Sequence, residues 1–357
     1  MTPDIEKKVL LILRILRDAG QPMGARLIAR RMTELGVPLS ERMVRYHLSL
    51  TDERGLTELA GRRDGRAITK RGIEEIGSAR VRDKLSLAIS RIETLAFRTT
   101  FDPRRKRGLV PVNISLVARE KFRRAVDAMR PAFEAGLCVS GLVATAKAGE
   151  RLGETVVPEG KIGIATVCSI VVNGVLLKNG VPMDSKFGGI VQISRGEPLR
   201  FVELIHYSGS SLDPSEAFIR ARMTSVREVI TEGEGRILAN FREIPALSRD
   251  LAETIVRDLR ASGINGVLAI GKVSEPVCEV PVDLNKVGMI LIGGLNPVCC
   301  AQEAGIDVEN LAMSAVVDFG ELVPFHAAFR GRAAGEGNRG SALRTKRDRQ
   351  ILMTRRS

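Results

Sequence analysis

The sequence predicts an N-terminal all-α, winged helix-turn-helix module followed by a C-terminal α/β (α+β) domain built from two duplicated halves. Three observations carry that reading. Amphipathic helical stretches and a basic hairpin follow one another within residues 1–78, residues 109–330 contain a long internal echo, and the basic excess sits at the two ends of the 357-residue chain.

The helices are legible from periodicity. Val9, Leu10, Ile12, Leu13 and Leu16 recur at helical spacing with Lys and Arg between them, and Gly20 closes that stretch. A second helix is expected from Gly24 to Leu35, with Ala25, Ile28, Ala29 and Met32 turned inward. Gly36-Val37-Pro38 makes a turn, and Ser40 is placed to cap a third helix, ERMVRYHLSLTDERG.

On this third helix Val44, His47, Leu48 and Thr51 share one side, and Arg42, Arg45, Tyr46 and Ser49 the other. The second face carries two guanidinium groups, a phenol and a hydroxyl, which suits a helix lying in a major groove. Two short extended runs then flank Arg62-Arg63-Asp64-Gly65, with Arg66 just beyond: a basic wing suited to the phosphate backbone. The candidate DNA-binding residues are Ser40, Arg42, Arg45, Tyr46, Ser49, Arg62, Arg63 and Arg66. A protein-docking winged helix is the alternative, and His47 is expected in the core. A helix over 80–98 is expected within a linker at 79–108, with a contribution to a dimer seam. Pro103 and the basic run Arg104 to Arg107 mark the domain boundary, either as a solvated linker or as a further DNA contact.

Charge supports the division. Residues 1–108 hold 24 Lys and Arg against 14 Asp and Glu, and residues 331–357 hold 8 against 2. With +13 overall, 109–330 carries a net −3. A basic module joined to a near-neutral one points to nucleic acid for the first and a different task for the second. The tail, 331–357, is expected to be disordered. No apolar run reaches the roughly 18 residues of a membrane span, and the charged N-terminal stretch does not resemble a signal peptide. Five Cys without a CxxC pair argue against a disulfide framework or a structural zinc site. A cytoplasmic protein is expected.

Within 109–330, KIGIATVCSIVVNGVLLKNGV from Lys161 is echoed by KVGMILIGGLNPVCCAQEAGI from Lys286. EAGLCVSGLV at 134–143 parallels ASGINGVLAI at 261–270, and Gly196-Glu197 parallels Gly320-Glu321. Halves of about 109–215 and 240–330 follow, each reading helix, strand, loop, strand, helix-like segment, strand. FVELIHYSGSSLDPSEAFIRARMTSV and ILANFREIPA read as polar insertions confined to the first half. Two related halves pack around a cleft, a favoured place for a ligand.

Several polar groups are candidates for that cleft. Tyr207, Ser210, Ser211 and Asp213 form a hydroxyl-rich loop suited to a small anion, or equally a turn and helix cap with Ser211 or Asp213 capping 215–222. Arg242 offers a carboxylate fork or a surface pair with Glu243. Cys168 and Ser169 end an apolar strand near Asn173, and Lys186 supplies a further cation. The adjacent pair Cys299-Cys300 cannot chelate together, and neither His206 nor His326 has a partner at ligand spacing, so no metal site is expected. No P-loop or G-x-S-x-G motif occurs, and no G-x-G-x-x-G follows a strand.

The chain resembles the archaeal nitrogen-regulator family NrpR. The likeness rests on LSERMVRYHL with GRRDGRAIT, then IATVCSIVVNGVLLKNGVP, SKFGGIVQ, PLRFVELIHYSGSSLDP, FIRARMTSV, ILANFREIPA and GGLNPV. It implies a transcriptional repressor, not an enzyme. Such a repressor binds palindromic operators of nitrogen-assimilation genes as a homodimer and is released by 2-oxoglutarate, a dicarboxylate effector rather than a cofactor. The match is to the form with one effector domain, which can work with a second regulator chain bearing two. The basic tail lies outside the likeness. The residues expected to line the effector site are Cys168, Ser169, Asn173, Lys186, Tyr207, Ser210, Ser211, Asp213 and Arg242. A metabolic enzyme fused to a winged helix, or a thiol-based redox regulator using Cys168 or Cys299, are the rival readings.

Overall fold

The structure is a computed structural model that describes residues 3–61, 65–78, 87–210 and 212–329. The expected tail at 331–357 and the first part of the linker lie outside these residues.

The N-terminal module contains α1 (Pro3–Ala19), α2 (Ala25–Glu34), α3 (Glu41–Glu53), the hairpin β1 (Thr57–Gly61) and β2 (Gly65–Ile68), and α4 (Lys70–Ser78). Its core joins Ile12, Ile15 and Leu16 of α1 to Ile28 and Met32 of α2 and to Val44 and Leu48 of α3. All but Ile15 are positions the sequence reading named, and His47 and Thr51 are buried beside them. The Ser40 hydroxyl accepts the Met43 N–H at 3.2 Å and caps α3 as expected. The wing is tied down where Met23 and Arg66 exchange backbone hydrogen bonds of 2.9 and 3.0 Å. Gly65 permits this approach: at φ +87° a side chain is strained, and a Cβ would lie 2.2 Å from the Met23 carbonyl oxygen.

Helix α5 (Leu87–Arg98) is no independent linker. Ala88, Ile92, Leu95 and Ala96 are buried in the large C-terminal core, so the helix belongs to that domain. It crosses α7 (Ile170–Lys178) where a Cβ on Gly174 would lie 2.3 Å from the Thr99 Cβ, a contact only glycine allows. The basic segment that follows forms a turn, with Arg104 paired to Asp258 at 2.8 Å.

The C-terminal domain repeats a β-α-β-β-α-β unit. The first copy is β3 (Leu109–Ala118), α6 (Phe122–Glu134), β4 (Leu142–Lys147), β7 (Lys161–Val167), α7 and β8 (Asp184–Ser194). The second is β10 (Gly235–Pro245), α10 (Arg249–Ala261), β11 (Val267–Val273), β12 (Lys286–Ile292), α11 (Asn296–Glu303) and β13 (Glu309–Asp318). A small hairpin, β5 (Arg151–Leu152) and β6 (Thr155–Val156), interrupts the first copy alone.

With β9 (Glu197–His206) and β14 (Val323–Pro324), two antiparallel sheets result, in the orders β13-β3-β7-β4-β14 and β11-β12-β10-β8-β9. Each copy contributes three strands to its own sheet and sends its last strand to the other. Thus β8 pairs with β10, and β13 pairs with β3. The register preserves the repeat: Asn113 faces Thr166 across β3–β7, and Asn240 faces Leu291 across β10–β12. The exchange explains why the halves form one core. Removing either exchanged strand would strip the first strand of the opposite copy of a neighbour.

The repeat boundaries differ from those expected. Each copy begins with a strand, and the copies end near 194 and 318 rather than 215 and 330. ILANFREIPA is not an insertion in the first half; all but its last residue lies in β10, the first strand of the second. Buried on both faces, β10 shows no polar/apolar alternation to reveal it. The Gly-Glu pairs do follow equivalent strands, but the paths then part. After the first, β9 (Glu197–His206) folds back on β8; after the second, β14 (Val323–Pro324) crosses to β4 and leads into α12 (Phe325–Ala328). Between the copies lie α8 (Pro214–Arg220), capped by Asp213, and α9 (Val226–Glu232).

Candidate functional site

The winged-helix module presents one polar helix face. Arg42, Arg45, Tyr46 and Ser49 of α3 are exposed, Tyr46 at 49%. Arg45 is ion-paired with Glu41 one turn earlier, which holds its guanidinium along the helix surface. The Ser49 hydroxyl donates to the Tyr46 carbonyl at 2.8 Å, leaving its oxygen free to accept a bond. Arg62 and Arg63 lie outside the described residues. Arg66 requires a correction: its guanidinium bonds Asp52 at 2.8 Å, so it braces the wing against α3 instead of standing free for a phosphate.

The second site lies where the exchanged strands bring the two copies together. Asn113, Cys168 and Ser169 of the first copy, Asn240 and Arg242 of the second, and Tyr207 and Asp213 of the connection surround a cavity of about 20 Å³. Arg242 is 1% exposed, the largest of the fully buried side chains among the described residues. Its guanidinium lies 4.7 Å over the Tyr207 ring, and its Nη1 donates to the Phe241 carbonyl at 3.2 Å. Nη2 reaches the Tyr207 oxygen only at 3.5 Å, and Nε has no partner. No carboxylate among the described residues forms an ion pair with it. The Tyr207 hydroxyl donates to Asn240 Oδ1, and Asn240 Nδ2 donates to Ser169 Oγ at 3.2 Å. On the other wall Asn113 Oδ1 accepts the Met313 N–H at 3.0 Å.

A buried guanidinium with an unsatisfied N–H is costly unless it meets an anion. The remaining groups are neutral donors and acceptors suited to the same ligand. Burial pushes the Tyr207 hydroxyl up, so it stays a donor at neutral pH. Burial also pushes the Cys168 thiol to about 11 and Cys300 to about 12, and raises Cys299 well above its ordinary value. Protonated, buried thiols are poor redox sensors.

The other expected cavity residues are elsewhere. Lys186 extends to Asp184, Glu243 and Asp283 at 2.9, 3.1 and 2.9 Å. Strand alternation puts Glu243 on the face of β10 opposite Arg242. Asn173 donates to Ser185 at 3.0 Å and does not line the cavity. Ser210 closes a turn with Leu212, and Ser211 lies outside the described residues. The sequence reading missed Asn113, Asn240, Ser215 and Met313. One signal was available: Asn113 and Asn240 occupy equivalent positions of the two copies, visible once the strands preceding the first helices are aligned.

A winged helix joined to a duplicated domain is the build of a transcription regulator. Residues 85–324 match the family described as NrpR regulatory domains NRD1 and 2, and residues 10–76 match the ribonuclease R winged-helix domain. The chain is 39% identical over 319 residues to a global nitrogen regulator NrpRI of Methanosarcina mazei, covering 89% of this chain and 98% of that one. It is 33% identical over 311 residues to a global nitrogen regulator NrpR of Methanococcus maripaludis, covering 87% of this chain and 54% of that longer protein. A crystal structure of a nitrogen repressor-like protein from Methanococcus jannaschii matches with a TM-score of 0.58 at 29% identity, covering 68% of this chain and 99% of that one. The chain belongs to the NrpR family of nitrogen regulators. It is a nitrogen-gene regulator and not an enzyme. Among the described residues no helix is long and apolar enough to cross a membrane.

Proposed function

We propose that this regulator is a repressor that binds palindromic operator DNA of nitrogen-assimilation genes as a homodimer and is released by 2-oxoglutarate. Arg42, Arg45, Tyr46 and Ser49 of α3 read the major groove, and the wing holds the backbone. The effector enters the cavity between the two copies, with one carboxylate on Arg242 and the Tyr207, Asn240 and Ser169 groups beside it. Arg242 carries this reading: a guanidinium 1% exposed and without a carboxylate partner among the described residues suits a small anion. A cavity of about 20 Å³ holds roughly a water molecule. On this reading the cavity is too small for a five-carbon dicarboxylate as it stands, and binding needs the copies to part.

Calorimetry of 2-oxoglutarate against wild type and Arg242→Ala, with and without operator, tests it. The expected coupling is about 5–150-fold, equal in both directions. Unchanged affinity in the variant would remove Arg242 from the site, and equal affinity with and without operator would remove the switch. Co-purification tests the expected companion chain with two effector domains.

A further inference from the structure

Strand β13 carries a bulge. Leu311 pairs with Ile114 and Ala315 with Val112, so Ala312, Met313 and Ser314 stand opposite Asn113 alone. Side-chain hydrogen bonds hold all three. The Met313 N–H donates to Asn113 Oδ1 at 3.0 Å, the Ala312 N–H donates to Glu216 Oε1 at 2.8 Å, and the Ser314 hydroxyl accepts the Ile114 N–H at 3.2 Å. Met313 sits at φ +50°. A non-glycine residue in that region persists only where its surroundings hold it.

The bulge borders two cavities. Ala312 and Met313 line the Arg242 cavity together with Asn113. The Asn113 amide is wedged against the second copy there, since a Cβ on Gly294 would lie 2.6 Å from its Nδ2. Met313 and Ser314 line a larger cavity of about 90 Å³, with Met23 and Arg31 of the winged-helix module also in its wall. The guanidinium groups of Arg31, Arg91 and Arg98 around it already meet Glu154 or Asp18, so it is a joint between domains and not a second anion site. Just past the bulge, β13 seats the β5–β6 hairpin. A Cβ on Gly153 would lie 2.7 Å from the Ala315 Cβ and 2.9 Å from the Val316 carbonyl oxygen. The next residue, Glu154, pairs with Arg31 of α2. At the far end of the hairpin, a Cβ on Gly20, just after α1, would lie 3.1 Å from the Val156 carbonyl oxygen. Direct contacts therefore run from Asn113 through the bulge and the hairpin to α1 and α2.

We propose that the 312–314 bulge of β13 is the moving part that connects the effector cavity to the DNA-binding module: a ligand parting the two copies draws Asn113 off the Met313 N–H, the bulge relaxes, and the β5–β6 hairpin seated beside it shifts beneath α1 and α2. The proposal rests on the effector reading above for its trigger, but not for its path. Asn113 is the shared element, because it lines the cavity and holds the bulge with the same side chain. Once that bond is lost, nothing favours φ +50° at Met313, and the backbone leaves the left-handed region. The change is carried to Ala315 and Val316, on which Gly153 rests without a side chain to cushion it. Glu154 and Arg31 then pass it to α2. The joint side also reaches the wing, because Met23 and Arg66 exchange backbone hydrogen bonds. A ligand shifts this element only by its differential affinity for the two arrangements.

The test uses the full chain, with operator affinity measured with and without 2-oxoglutarate. Asn113→Ala frees the bulge, so its ligand-free operator affinity should fall toward the ligand-bound level of the wild type, by up to about 5–150-fold. Ser115→Ala is the control: Ser115 lies on the same strand, but its hydroxyl donates to Asn310 at 2.8 Å on the regular part of β13, and the variant should respond as wild type does. Met313→Gly and Met313→Ala lose the same side chain, but only glycine accepts φ +50° freely. Releasing operator from the Gly variant should therefore need more 2-oxoglutarate than from the Ala variant, by up to about 5–30-fold. Gly153→Ala unseats the hairpin far from the ligand, so 2-oxoglutarate should bind it as it binds wild type while no longer weakening operator binding. Equal release of the two Met313 variants, or a wild-type response in Gly153→Ala, overturns the proposal. If 2-oxoglutarate fails to bind the wild type, the effector reading falls, and hydrogen exchange of the ligand-free chains decides the path. Residues 151–156 and α2 should then exchange faster in Asn113→Ala than in Ser115→Ala, and equal exchange overturns the proposal.

Discussion

Arg31 of the winged-helix module is ion-paired with Glu154, which lies in the β5–β6 turn of the C-terminal domain. Glu154 also accepts Arg98 Nη2 at 2.8 Å, so a single carboxylate joins helix α2, helix α5 and the first copy of the repeat. The hairpin that carries it is absent from the second copy. The hairpin lies on the side of the duplicated domain that meets the winged helix.

This joint should fail in acid. Burial works against the Glu154 carboxylate, but Arg31 and Arg98 outweigh it and hold it below its ordinary value. A lowered carboxyl contributes stability above its unfolded-state value, near pH 4.3, which is lost as pH falls through its folded value. The pair is partly exposed, so salt should weaken it as well. Glu154→Gln should loosen the winged helix at pH 7. Hydrogen exchange along α2 is the measurement, and unchanged protection would show that apolar contacts alone hold the joint.

The DNA face should divide into reading and bracing residues. Arg45→Ala should cost roughly 1–3 kcal/mol of operator binding and relax preference at one base pair. Arg66→Ala should chiefly lower the thermal stability of the wing, because Arg66 is engaged by Asp52. Binding isotherms on operator and on scrambled DNA, read beside melting curves, separate the two. A pure loss of DNA affinity in Arg66→Ala would reverse its assignment.

Arg242 should show a conflict between stability and function. Arg242→Met removes a buried, incompletely bonded charge and keeps apolar volume, so it should stabilise the free protein by about 1–3 kcal/mol. The same variant should lose the response to 2-oxoglutarate. Denaturant melts of both proteins without ligand check the sign, and a less stable Met variant would mean that Arg242 already has sufficient partners.

Gly174 tests the packing of α5 as part of the C-terminal domain. Gly174→Ala puts a Cβ 2.3 Å from that of Thr99, so α5 must shift. Overpacking of this kind costs roughly 1–3 kcal/mol. The loss should appear in the melting of the C-terminal domain, with operator release altered because Arg91 and Arg98 ride on the same helix. A melt identical to wild type would mean that α5 is only loosely seated.

The winged helix was legible in the sequence because its determinants are local. The spacing of Val44, His47, Leu48 and Thr51 sets which face of α3 is buried, and Ser40 caps the helix from the adjacent position. The repeat was legible too, since Lys161 and Lys286 open strands of equivalent register. What tertiary structure alone decided was the cavity. Its residues run from Asn113 to Met313 and meet because each copy sends its last strand into the other sheet. No local pattern records that exchange. Strand β10, which supplies Asn240 and Arg242, is buried on both faces, so no polar/apolar alternation marks it. Two side chains expected in the cavity are engaged elsewhere, Ser210 by Leu212 and Lys186 by Asp184, Glu243 and Asp283, while the buried Arg242 has no carboxylate partner among the described residues. A charge is paired or left unpaired only when distant strands close around it, and spacing along the chain does not encode which.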